Sequence, residues 1–184
     1  MQHFEKKISS EQFYKGRIIS MYRDQVELEN GKHTYREYVT HPGGVCIAAL
    51  TEDQCIYMVR QFRYPYGEMV LELPAGKREP GEDPLVCGKR ELTEETGMQA
   101  AEYISLGELY PSPGYTDEVI YMYLAVKLEQ AVQRLDEDEF LDVEKIPLDQ
   151  AVQMILRGEI KDAKTQAAIL KVKYLLEQQK QEVL

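Results

Sequence analysis

The sequence predicts a mixed α/β fold on three observations: short apolar runs bounded by turn residues, one helix interrupting them mid-chain, and two helices closing the chain. With 184 residues, 43% of them hydrophobic, the chain is long enough for one compact domain and too short for two ordinary ones. Strands with helices inserted at two points fit one mixed unit over residues 1–184 rather than a doubly wound repeat.

From Arg17 to Val39 two strands surround Asn30-Gly31, a dipeptide that favours tight hairpin turns, so an amino-terminal hairpin over about 10–41 should precede a core over about 42–184. Val45 to Leu50 and Cys55 to Phe62 are apolar runs split by the polar Thr51-Glu52-Asp53, and Met69 to Leu73 is a third. Pro84 suits a first helical turn, Leu85, Gly88 and Leu92 recur at helical spacing, and Gly97 stands where a helix stops, which predicts a helix from Pro84 to Thr96. Strands resume at Tyr103 to Leu109 and at Glu118 to Leu128, the second nearly continuously apolar and therefore central. An acidic stretch leads to a strand from Phe140 to Ile146. A helix from Pro147 to Arg157 follows, with Ala151, Met154 and Ile155 on one face, and the last begins near Asp162 and carries Ile169, Val172 and Leu176.

Charge narrows the function classes. Lys and Arg number 22 against 32 Asp and Glu, a formal charge of -10 that repels nucleic acid and anionic membranes and makes divalent metal a natural counter-charge. No apolar stretch approaches the roughly 20 residues that span a bilayer, and Met1 to Ser10 has no apolar core like that of a signal peptide, so the expected location is cytoplasmic. Cys46, Cys55 and Cys87 share no C-x-x-C spacing and sit in or beside apolar segments, which reads as buried free thiols.

The segment Gly76 to Met98 (GKREPGEDPLVCGKRELTEETGM) carries the chemistry. On the predicted helix Glu91, Glu94 and Glu95 crowd an arc of about 100 degrees. Such repulsion costs a few tenths of a kcal/mol per pair when exposed, grows with burial, and is turned into coordination by a hard cation such as Mg2+ or Mn2+. Arg90 stands beside these acids and can hold one of them by a charge-assisted pair. Taken alone, three acids also fit a solvated helix face.

The spacing goes further. Gly76, Glu82, Arg90, Glu91, Leu92, Glu94, Glu95, Gly97 and Met98 match every position of G-x5-E-x7-R-E-U-x-E-E-x-G-U, where U is aliphatic. Seven fixed types at roughly 7% usage coincide by chance on the order of once in a hundred million windows. This pattern resembles the Nudix box, and the resemblance implies a Nudix-type α/β/α sandwich around a mixed sheet. It also implies that Glu91, Glu95 and the backbone carbonyl of Ala75 bind metal, that Glu94 is a further acid of the metal site, and that Arg90 orients these acids. Glu82 precedes the helix and reads as a loop or capping partner.

Outside the box, Pro113 lies fifteen residues beyond Met98 within Ser112-Pro113-Gly114, and Gln61-Phe62-Arg63, Glu72 to Gly76 (ELPAG) and Leu135 to Phe140 (LDEDEF) fall in an order similar to that of the ADP-ribose pyrophosphatase branch. The resemblance implies hydrolysis of ADP-ribose to AMP and ribose 5-phosphate, with Arg36 and Arg63 gripping the diphosphate and Pro113, Gly114 and Glu118 on the substrate side. In the acidic run 136–139 it implies Glu137 as general base and Glu139 as a metal-proximal acid. Those two share a side if the loop is extended, and a one-residue shift would pass the roles to Asp136 and Asp138. It further implies a homodimer whose amino-terminal strands reach the partner's pocket, in keeping with apolar Ile18, Ile19, Met21, Val26 and Leu28 on the extension. Relatives stack adenine on aromatic rings after the first glycine, where this chain has Gly16-Arg17-Ile18, so Tyr14, Tyr22 or Arg17 remain open for that task. Other readings are cleavage of another nucleoside diphosphate sugar or nucleotide, and a nucleotide-binding sensor without catalysis.

Overall fold

A computed structural model of the chain describes residues 3–137 and 139–182. Its contacts form two compact units, Met1–Gly43 with Tyr110–Val119, and Gly44–Leu109 with Ile120–Leu184.

The amino-terminal unit is a three-stranded antiparallel meander, β1 (Lys6–Lys15), β2 (Ser20–Glu27) and β3 (His33–Thr40). The β2–β3 hairpin forms at the expected turn, with Gly31 at φ +76° and the Asn30 side chain accepting from the Lys32 N–H at 3.0 Å. Strand β1 is an addition to the hairpin the sequence predicts. Its sequence KKISSEQFYK is exposed throughout and has no apolar run, so only pairing with β2 reveals it. One interior position is polar: buried Asp24 accepts from Ser10 at 2.5 Å and pairs with Lys7 at 2.9 Å. The segment 110–119 is tied to β3 through Val39, whose N–H donates to the Tyr115 carbonyl at 2.8 Å.

The larger unit is an α/β/α sandwich. Its elements in chain order are β4 (Gly44–Ala49), β5 (Cys55–Arg63), β6 (Glu68–Glu72), β7 (Ala75–Lys77), α1 (Pro84–Thr96), β8 (Met98–Leu109), β9 (Ile120–Gln130), β10 (Leu141–Pro147), α2 (Leu148–Leu156) and α3 (Ala163–Glu182). One sheet runs β7-β4-β9-β8, mixed because β4 and β9 are parallel while the outer pairs are antiparallel, and a second runs β10-β5-β6. Strand β4 is buried end to end because helices cover both of its faces. Val45, Ile47 and Ala49 pack with Cys87 and Leu92 of α1, whereas Cys46, Ala48 and Leu50 join Ile169 and Val172 of α3.

Helix α1 has the bounds that its punctuation predicts. Asp83 accepts from the N–H groups of Leu85 and Val86 at 2.9 and 3.2 Å, and Gly97 closes the helix in the left-handed region at φ 68°. Gly88 faces β4 so closely that a Cβ there would lie 2.6 Å from Ile47 Cδ1, which sets the helix against the sheet. Two pieces escape the sequence pattern: β7 is only three residues long, and β8 starts at Met98 because its polar first half is held by pairing with β9. Cys46 and Cys87 are buried free thiols, both pushed up to about 12 by burial. Cys55 is only half-buried, a correction explained by its place at the start of β5, next to the Thr51–Asp53 turn.

Candidate active site

The site is built around the acidic face of α1. Glu95 is 2% exposed, and its carboxylate accepts from the Ala75 N–H at 3.0 Å. Glu91, one turn earlier, is also buried and lies against Gly76, where a Cβ would stand 1.9 Å from its carboxyl carbon. Only glycine permits that approach, which explains the first position of the box in physical terms. The last glycine answers a different need, the positive φ of the helix stop.

Arg90 organises the rest. Its Nη1 donates to Glu91 at 2.7 Å and to Glu94 at 2.9 Å, while Nε and Nη2 each reach Glu82 at 3.1 Å. Glu82 also accepts from the Glu79 N–H at 2.9 Å, so it is the loop partner that aims the guanidinium, and Arg90 in turn holds its carboxyl down at about 2. Burial pushes Glu91 up to about 7 against the pull of Arg90, and pushes Glu95 up to about 8 against the Ala75 N–H. Each is raised further by nearby negative charge, that of Glu139 included.

Buried acids with too little positive charge around them are a donor set for a cation. All the groups here are oxygens: the carboxylates of Glu91, Glu94 and Glu95, with Ala75 alongside. That chemistry fits a hard divalent ion. Among the described residues no three acidic, histidine or cysteine side chains converge tightly enough to enclose one, and Arg90 bridges Glu91 and Glu94.

In the acidic run after β9, Asp136 and Glu139 are hydrogen-bonded to each other. The Glu139 N–H donates to the Asp136 carbonyl at 3.0 Å, and the Glu139 side chain accepts from the Asp136 N–H at 3.3 Å. Glu137 is exposed and Glu139 half-buried, and Asp138 lies outside the described residues. The run is anchored to α1, since the Arg134 N–H donates to the Glu94 carbonyl at 3.1 Å and Gln133 Nε2 to that of Glu95 at 2.6 Å.

A second charged cluster adjoins the first. Arg63 donates from Nε and Nη2 to the two oxygens of Glu72, at 2.6 and 2.8 Å, and Lys164 Nζ reaches the same carboxylate at 2.5 Å. Sequence reasoning passed over Glu72 and Lys164. Glu72 had a signal, a charge between apolar Leu71 and Leu73, which demands partners once buried. Lys164 had none, because its partner is 92 residues away.

The remaining sequence candidates belong to the amino-terminal unit. Arg36 is half exposed on β3 and pairs with Glu5 at 2.5 Å, Pro113 and Gly114 are exposed in their loop, and Glu118 lies 3.3 Å from His41. Tyr22 is already stacked on Tyr38 at 5.5 Å, whereas Tyr14 and Arg17 are exposed. Arg23 lies over the rings of Phe13 and Tyr35 at 4.8 and 5.2 Å, an aromatic site that sequence reasoning did not single out.

The NUDIX domain description matches residues 40–169. The chain belongs to the Nudix family. A second description, nucleoside diphosphate sugar hydrolase N-terminal domain, matches residues 5–39 of this Nudix hydrolase. Over 180 residues, 96% of this chain and 97% of the relative, it is 43% identical to an ADP-ribose pyrophosphatase of Bacillus subtilis. It is equally 43% identical to a methanol dehydrogenase activator of Bacillus methanolicus, over 93% of this chain and 92% of that one. The crystal structure of an ADP compounds hydrolase shares the fold, with a TM-score of 0.85 at 22% identity over 95% of both chains. Among the described residues, no helix of this Nudix hydrolase is long and apolar enough to cross a membrane.

Proposed function

We propose that this Nudix hydrolase cleaves the pyrophosphate linkage of ADP-ribose in the cytoplasm, as an Mg2+- or Mn2+-dependent homodimer, to give AMP and ribose 5-phosphate. The observation that carries this reading is the pair Glu91 and Glu95, carboxylates one turn apart and buried on α1 beside Ala75 and Gly76, where burial raises both carboxyls. The substrate is read from the 43% identical ADP-ribose pyrophosphatase.

A divalent ion bound by Glu91, Glu95 and the Ala75 carbonyl, with Glu94 and Glu139 close by, would neutralise diphosphate oxygens and favour attack at phosphorus. Arg90 fixes the carboxylates through a network that ends on Glu82. Arg63 presents a guanidinium edge to the diphosphate, a task suited to its planar fork. Glu137, exposed on its turn, takes the proton from water. Arg36, Pro113, Gly114 and Glu118 serve the substrate from the amino-terminal unit, which in the dimer reaches the partner's pocket. Exposed Phe13, Ile18, Ile19 and Met21 on that unit support such a covered surface.

Incubation with ADP-ribose and Mg2+, with products separated by chromatography, tests the reading. The expected result is equimolar AMP and ribose 5-phosphate, abolished by chelator. Faster turnover of GDP-mannose in the same panel would transfer the reading to another nucleoside diphosphate sugar. Nucleotide binding without turnover would replace it with a regulator, the class suggested by the name of the methanol dehydrogenase activator.

A further inference from the structure

We propose that Lys164 is a positioning residue for substrate binding: by sharing the buried Glu72 carboxylate, it leaves the Arg63 guanidinium positive enough to attract the diphosphate. The proposal rests on the reading of Arg63 as a diphosphate ligand. Glu72 is a single carboxylate, its side chain 2% exposed, between two cations. Bidentate pairing with Arg63 alone would already satisfy it geometrically. Lys164 is nevertheless brought in, its side chain 11% exposed, and is flanked by Asp162 at 3.0 Å. Burial works against its ammonium, and the carboxylates of Glu72 and Asp162 outweigh that cost.

The charges explain the arrangement. Arg63, Lys164, Glu72 and Asp162 sum to zero. Without Lys164 the same cluster would carry one net negative charge, where an anionic substrate must approach. Arg63 joins the cluster to the acidic site, since it is held by Glu72 and its charge also reaches Glu95. Among the described residues nothing accepts from its Nη1, and its side chain is 39% exposed, so one edge of the fork is open. A mechanical tie runs beside the electrostatic one: the Thr165 hydroxyl accepts from the Leu73 N–H at 2.8 Å, and Asp162 accepts from the Thr165 N–H at 2.9 Å. The start of α3 is thereby fixed to the end of β6, just ahead of Ala75.

The two ties are separable by substitution. Lys164→Met should raise KM for ADP-ribose about tenfold, with kcat changed less than about threefold, the signature of lost binding rather than lost chemistry. Adding Glu72→Gln restores a neutral cluster, so the double variant should return to within about threefold of the wild-type KM. Lys164→Arg should stay close to wild type. Thr165→Val, which breaks only the mechanical tie, should lower the melting temperature and leave KM unchanged. Should Lys164→Met fail to fold, Lys164→Gln keeps a hydrogen-bonding group and loses the charge, and gives the same reading. Arg63→Ala serves as the reference and should raise KM more than Lys164→Met does. A wild-type KM in Lys164→Met and Lys164→Gln beside a raised KM in Arg63→Ala would overturn the role of Lys164 alone. A double variant no better than Lys164→Met would do the same. An unchanged KM in Arg63→Ala would instead remove the reading of Arg63 on which the proposal stands.

Discussion

Glu72 and Glu95 are equally hidden, each 2% exposed, yet their protonation is opposite. Burial resists the charge on Glu72, but Arg63 and Lys164 overcome it and hold the carboxyl below its ordinary value of 4.5. Glu95 receives one backbone N–H and the repulsion of Glu91 and Glu139, and burial carries it to about 8. The protein neutralises one buried acid with its own side chains and leaves the other short of positive charge. That difference separates a structural ion pair from the pair of acids proposed above to take an external cation.

The strongest way to break the comparison is to remove the charge-deficient acids. Glu91→Gln or Glu95→Gln should lower turnover by about three orders of magnitude or more, since each removes a carboxylate proposed to hold the charge-stabilising ion. Without metal, either variant should melt at the same or a higher temperature, because a buried like-charge conflict is gone. Wild-type turnover in either would exclude the ligand role. Glu137→Gln should cost about a hundredfold in kcat, the lower range for general acid–base catalysis, with metal and substrate affinity little changed. Glu139→Gln should instead raise the metal concentration needed for half-maximal activity, since its charge reaches both Glu91 and Glu95. If Glu137→Gln keeps more than about half of wild-type turnover when chemistry limits the rate, the base lies elsewhere, first at Glu94 and then at Glu118. Gly76→Ala should destabilise by about 1–3 kcal/mol through overpacking and displace the Glu91 carboxylate, seen as lower melting temperature and weaker metal dependence together.

Acid dependence sharpens the same contrast with a smaller effect. Glu91 and Glu95 have folded values raised above 4.5, so their contribution to metal-free stability is complete below that pH and is lost as pH rises through about 7 and 8. Glu72 is lowered, so its contribution is present above 4.5 and is lost as pH falls below it. Melting curves of the chelated protein should therefore decline from pH 5 to 8. Glu95→Gln should flatten that decline, whereas Glu72→Gln should lower the melting temperature above pH 4.5 and remove the further loss on the acid limb.

Much of this was legible in the sequence because it depends on local rules. Helix α1 is bounded by Pro84 and Gly97, residues whose preferences operate within one turn, and 3.6-residue spacing puts the box acids on one arc; the Asp83 cap came only with the structure. What stayed hidden depends on distant partners. Strand β1 has no periodic signal and exists through its ladder with β2. Lys164 meets Glu72 only when α3 packs beside β6. Glu137 and Glu139 share a side only if the acidic run is extended, and nothing in four consecutive acids specifies the bond from the Glu139 N–H to the Asp136 carbonyl. Gly76 was recognised from its place in a pattern, and the structure supplies the reason, the Glu91 carboxylate where a Cβ would be.

The central claim is that α1 holds buried carboxylates reserved for a divalent ion. Calorimetric titration of the metal-free protein with Mn2+ at pH 7, repeated in buffers of different ionisation enthalpy, counts the protons displaced on binding. The account predicts release of about one proton or more per protein, with affinity rising from pH 6 to 8 and both features lost in Glu95→Gln. Mn2+ binding with no proton release, at an affinity unaltered by Glu95→Gln, would contradict it.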